Sequence, residues 1–159
     1  GLIAAAWASM LYMGYSEYSK IANMIKNNVN NIRYNIGRNT NITIIGKPNI
    51  NILGFRSDTL NIYSIADELK KKGWNISIMQ KPAAFHLCLT NLHTKEVCDK
   101  FCEDLNNSVD TVLKSSNKKL SGTLALYGSS QEVGTSMFIE EVIHDFIFLL
   151  SRKTISERY

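Results

Sequence analysis

Apolar positions along the chain change period several times, and each change marks a predicted element. Ile21, Met24, Ile25, Val29, Ile32 and Ile36 recur at intervals of three and four, the spacing of one buried helix stripe. With the alanine-rich run upstream they predict a helix from about Leu2 to Ile36, broken near Gly14 and ended by Gly37. Asn27-Asn28 and Asn30-Asn31 weaken that helix but leave its stripe intact. Ile42 and Ile44, then Ile50, Ile52 and Gly54, read as two strands around the turn Gly46-Lys47-Pro48-Asn49. Asp58 or Thr59 can cap the next helix, whose core positions are Ile62, Ile65, Ala66 and Leu69.

That helix closes on Lys70, Lys71 and Lys72, cations where a helix C-terminus favours them. Gly73 supplies the positive φ that stops it. Trp74, Ile76 and Ile78 then alternate with Asn75, Ser77 and Met79, and Phe85, Leu87 and Leu89 alternate with His86, Cys88 and Thr90. Two strands joined at Gln80-Lys81-Pro82 follow. A long helix is predicted from about Lys95 to Lys114, burying Val97, Phe101, Cys102, Leu105, Val109 and Leu113. A polar loop at 115–122 and a short strand or turn at 123–128 lead into a last helix of about Thr135 to Ser151. That helix is apolar almost all round, which predicts a second face buried on another domain or subunit.

The order helix, strand, strand, helix, strand, strand, helix is α+β: an antiparallel sheet covered by helices on one side. A chain of 159 residues is long enough to bury one core, and 45% hydrophobic with 20% charged residues are globular values. The net charge of +4 comes without a dense Lys/Arg stripe, so a solvated basic surface is expected and no nucleic-acid partner. The chain begins at Gly inside an apolar run, which points to a piece of something longer.

Three cysteines suit buried thiols in a reducing compartment better than a disulfide framework. A metal set of His86, His93, Cys98 and Cys102 has no Cys-x-x-Cys pair and matches no common zinc spacing, so no metal is expected. Leu2 to Met13 is too short to span a bilayer and has no basic flank before it. Asn-x-Ser/Thr sequons at Asn41, Asn75 and Asn106 are expected by chance in so asparagine-rich a chain. Ser115-x-x-Lys118 lacks the helix start and the Lys-Thr-Gly strand that its catalytic reading needs.

Particular words of the sequence carry more than its periods do. Gly73-Trp74-Asn75, Gln80-Lys81-Pro82, and a strand with His86-x-Cys88-x-Thr90 and then His93 stand in order. Gly46-Lys47-Pro48 precedes a strand, Asn61-Ile62-Tyr63 a helix, and Tyr127-Gly128 with Gln131 forms a late turn. Over roughly Gly1 to Leu150 this pattern closely resembles the C-terminal domain of sphingosine-1-phosphate lyases, within the group II pyridoxal-phosphate-dependent decarboxylases. Gly1 to Gly14 is similar to the family segment that opens the long helix linking two domains.

The resemblance implies the small domain of a fold-type I enzyme at 37–159, preceded by an interdomain helix region at 1–36. It implies a homodimer on the endoplasmic reticulum membrane, with catalytic parts facing the cytosol and no membrane span in this segment. The implied activity is cleavage of a phosphorylated sphingoid base to a fatty aldehyde and phosphoethanolamine, with pyridoxal 5'-phosphate as electron sink. In the family the Schiff-base lysine lies in the large domain, and Lys47, Lys70, Lys71, Lys72 and Lys81 have no buried context to replace it. This chain is therefore expected to be inactive alone, with no catalytic residue. Tyr127 and Gly128 are the candidates for the substrate cleft, each open to a packing role instead. Gly73 and Trp74 are expected as fold determinants, and His86 and His93 as structural histidines. An amino-acid decarboxylase of the same fold is the alternative, and a free-standing α+β binding module a third reading.

Overall fold

The structure is a computed structural model that describes residues 1–115 and 140–149. Its elements run α1 (Leu2–Ile36), β1 (Thr43–Ile44), β2 (Ile52–Arg56), α2 (Ile62–Lys71), β3 (Ser77–Met79), β4 (Ala84–Cys88) and α3 (Lys95–Lys114). Residues 140–149 are helical as well. The strands form a four-stranded sheet in the order β1-β2-β4-β3, every neighbouring pair antiparallel. The two strand pairs expected from the alternation are thus joined through their inner members. Leu53 pairs with Leu87 and Phe55 with Phe85 across that seam.

One face of the sheet meets the helices. Leu53, Phe55, Phe85 and Leu87 project into a core with Ile32 and Ile36 of α1, Ile65 and Leu69 of α2, and Phe101 and Leu105 of α3. Phe55 stacks on Phe85 at 5.2 Å between ring centres and tilts against Phe101 at 5.7 Å, a spacing favourable for aromatic pairs. The α+β arrangement with helices on one side is the one the alternation predicts. For β2 the sequence reading named Ile50, Ile52 and Gly54 as a strand without assigning its inward face. Ile50 is 67% and Ile52 46% exposed, whereas Leu53 and Phe55 are fully buried. With apolar residues on both faces of the strand, alternation alone cannot say which one meets the helices.

The helix ends show why local signals worked where they did. α2 closes in a Schellman motif: Gly73 N–H donates to Lys70 O at 2.9 Å and Trp74 N–H to Leu69 O at 3.1 Å. Gly73 has φ +90°, the left-handed value expected of it. Gly37 ends α1 differently, at an ordinary φ of −59°, so no left-handed cap operates there. The cap of α2 is Asn61, not Asp58 or Thr59; its side chain accepts from Tyr63 and Ser64 N–H. Ser57 takes up the preceding turn, its hydroxyl donating to Asn41 O at 2.6 Å.

α3 has the predicted bounds. Along it, Leu113 is exposed and Val112 packs on the core in its place. α1 is bent at Gly14, which has φ 61° and ψ 175°, a combination that side chains avoid. Upstream of the bend Leu2, Ile3, Trp7, Met10 and Leu11 are exposed; downstream Val29, Ile32 and Ile36 belong to the core. Among the described residues no helix is long and apolar enough to cross a membrane.

Candidate functional site

The sheet's second face carries no helix of the core, and it bears the features that could meet another molecule. Ile45, Ile52, Gly54, Met79 and His86 line a largely apolar groove of about 480 Å³, together with Lys47 and Pro48 of the turn between β1 and β2. Strand register places Gly54 between Ile45 and His86, with Ser77 beyond His86. Gly54 sets the depth of the groove: a Cβ there would stand 3.3 Å from Ile45 Cδ1. Ile45 therefore lies over the glycine and the floor stays low. His86 is half-buried on this face, as its alternation with Phe85 and Leu87 predicts. Cys88, two residues on, is exposed.

A charged centre lies on the helix side. Asp104 of α3 accepts from Trp74 Nε1 at 2.9 Å, and Lys72 and Lys100 bring their ammonium groups to 3.5 and 3.3 Å from its carboxylate. Burial by itself would raise this carboxyl; the Trp74 and Lys100 hydrogen bonds and the two lysine charges outweigh it and hold Asp104 below the usual carboxylate range. Trp74 was expected at the start of a strand and inside the core. It instead precedes β3, half-buried, with its ring edge-on to Phe101 at 5.1 Å. Its indole N–H is the polar handle that finds its partner in Asp104.

His93 precedes the N-cap of α3, which is Thr94, accepting from Val97 N–H. The His93 ring closes the turn before the helix, Nδ1 accepting from Thr90 N–H at 3.0 Å. Its carbonyl accepts from Asn28 Nδ2 at 2.7 Å, which ties α1 to this turn. The histidines and cysteines of the metal set are distributed rather than gathered. His86 lines the groove and His93 closes the turn before α3, whereas Cys98 and Cys102 are buried on α3, their thiols raised to about 11 by burial. Among the described residues no group of three or more metal-ligating side chains converges. Tyr127 and Gly128 lie outside the described residues, as do Lys118, Lys119 and part of the last predicted helix.

Two features escaped the sequence reading. One is the groove, built from positions of β2 to which the sequence reading assigned no face. The other is a polar seam between α1 and α3. Asn31 donates to Asp99 at 2.6 Å, Asn35 to Asn31 at 3.2 Å and Asn39 to Asn106 at 2.8 Å. Asn28, Asn31 and Asn35 recur on α1 at three- and four-residue intervals, with Asn39 just beyond its end, and that spacing was the available signal.

No protein-family model matches the chain. It is 33% identical over 148 residues to the sphingosine-1-phosphate lyase of Drosophila melanogaster, a match that takes in 92% of this chain and 27% of that protein. The Saccharomyces cerevisiae sphingosine-1-phosphate lyase is 34% identical over 149 residues, again 92% of this chain and 25% of the relative. A solved structure of a Burkholderia pseudomallei sphingosine-1-phosphate lyase superposes with a TM-score of 0.67 at 28% identity, over 72% of this chain and 26% of that one. A cystine C-S lyase bound to cysteine persulfide shares the fold, with a TM-score of 0.53 at 13% identity over 64% of this chain and 27% of the other. The chain spans about a quarter of the length of the relatives it matches.

Proposed function

We propose, on the premise that this chain is similar to sphingosine-1-phosphate lyases along 92% of its length, that it is the C-terminal portion of such a lyase. The full-length protein cleaves the C2–C3 bond of a phosphorylated long-chain base in a retro-aldol reaction. It yields a fatty aldehyde and phosphoethanolamine. Pyridoxal 5'-phosphate supplies the electron sink when bound. The observation that carries the reading is the breadth of the match: fly and yeast lyases align over nearly the whole chain, and a bacterial lyase has its fold.

The described residues do not make a cofactor site by themselves. A Schiff-base lysine needs a buried, desolvated ammonium, and every described lysine is exposed. Lys71 is held by Asp67 at 2.7 Å and Glu68 at 2.9 Å, and Lys72 and Lys100 serve Asp104. The reading assigns no catalytic step to this segment and expects the chain alone to be inactive. Its role in the reading is architectural. Residues 37–159 form the small domain that closes the cleft, and 1–36 link it to the large one. Gly73, Trp74, His86 and His93 hold that domain in shape, and Tyr127 and Gly128 are its candidates for the substrate cleft. The enzyme works as a homodimer at the endoplasmic reticulum membrane, its catalytic part in the cytosol.

Full-length protein, supplied with pyridoxal 5'-phosphate and a phosphorylated sphingoid base, should release a long-chain aldehyde. Release of carbon dioxide from an amino acid, with no aldehyde, would replace this reading with the decarboxylase.

A further inference from the structure

One edge of the sheet is open beside the end of α1. β1 is the outermost strand on that side, and Ile45 N–H donates to Gly54 O at 2.9 Å. Alternate residues of a strand turn their backbone groups to opposite sides, so those of Ile44 point away from β2. Among the described residues nothing hydrogen-bonds to the Ile44 N–H or C=O. Between this edge and the last turns of α1 runs a cavity of about 540 Å³, lined by Asn30, Arg33, Thr43 and Ile44 together with the core residues Ile36 and Ile42. Arg33 is half-buried there, and among the described residues its guanidinium has no carboxylate or other side-chain partner. We infer that this edge binds an extended acidic segment of another protein, which adds a fifth strand beside β1 and places a carboxylate on Arg33.

Charge and hydrogen bonding select that partner. Arg33 is the one charged residue lining the cavity, so an anion meets attraction there and no repelling carboxylate. The Asn30 amide and the Thr43 hydroxyl, neither with a partner among the described residues, add neutral donors beside it. An extended backbone takes up both Ile44 groups at once, the mode by which a peptide joins a free sheet edge. Its side chains alternate, so every second one turns to the helix side, where Arg33 stands. A carboxylate in that row meets the guanidinium in a charge-assisted contact. Because β1 is only two residues long, the arginine rather than the ladder decides which segment is held. This inference goes beyond the lyase reading and rests on the sheet edge, not on which reaction the full-length protein performs.

The probe is a fluorescein-labelled peptide, Thr-Val-Thr-Asp-Thr-Val-Thr, whose Val and Asp side chains share one face of a strand. Its anisotropy should rise on titration with full-length protein up to about 300 μM. The same peptide with Asn for Asp should bind at least about tenfold more weakly, and Arg33→Gln should remove that difference. Should that variant fail to fold, the two peptides on the unmodified protein still decide. The Ile44 amide, read by hydrogen exchange, should exchange freely in the protein alone and at least about tenfold more slowly with the Asp peptide bound. Equal binding of the two peptides, or none, overturns the proposal. Binding that leaves Ile44 exchange unchanged overturns it too, by removing the added strand. So does an Ile44 amide already protected without peptide, which would show that the polypeptide itself covers this edge.

Discussion

The indole N–H of Trp74 donates to the carboxylate of Asp104 at 2.9 Å, joining the turn after α2 to the middle of α3. The two residues are thirty positions apart, and the contact is short because the Schellman turn at Gly73 aims the ring at α3. Lys72, one step before the glycine, donates to Asp104 O at 3.1 Å, so one turn delivers both a donor and a cation to one acidic residue.

That arrangement sets the effect of substitutions at Trp74. Trp74→Phe keeps an aromatic edge near Phe101 but strands Asp104 without its neutral donor, and should cost about 1–3 kcal/mol. Trp74→Ala removes the ring contacts as well and should cost about 3 kcal/mol or more. Urea unfolding of both variants decides the point; a loss below about 0.5 kcal/mol for the alanine variant would show that the indole holds nothing.

The pH dependence has a definite sign. Asp104 is depressed in the folded state, so its contribution is complete above the normal carboxylate pKa and is lost as pH falls through the lower folded value. Stability should therefore decline on acidification between about pH 5 and pH 2. Asp104→Asn should be less stable at neutral pH and show a shallower decline, measured as the denaturation midpoint against pH. An unchanged slope would assign the acid sensitivity to other carboxylates.

Gly73 is a position where the backbone itself demands glycine. At φ +90° an alanine should cost about 1–2 kcal/mol although open space surrounds it. Asn at 73, which tolerates left-handed backbone better, should recover part of that loss in thermal unfolding. Equal costs for Ala and Asn would mean that the turn relaxes to another conformation.

The three cysteines should separate by reactivity. Cys98 and Cys102, buried and raised to about 11, should resist a thiol reagent at pH 8 until the protein unfolds. Fast modification of either in native protein would contradict their burial on α3.

What could be read from the sequence, and what could not, divides by distance along the chain. The α3 bounds, the Gly73 stop and the core stripe of Val29, Ile32 and Ile36 are local, each set by helical spacing or by a cap within four residues. Wording reaches further than periodicity. Asn61-Ile62-Tyr63 marked the true start of α2, where capping preference alone had chosen Asp58 or Thr59. The inner pairing of β2 with β4, the burial of Leu53 rather than Ile52 and the meeting of Trp74 with Asp104 were decided by tertiary structure. Ile52 and Leu53 are nearly equal in hydrophobicity, so either could have faced inward. Only the helices packed on one side of the sheet break that symmetry, burying Leu53 and leaving Ile52, Gly54 and His86 on the open groove.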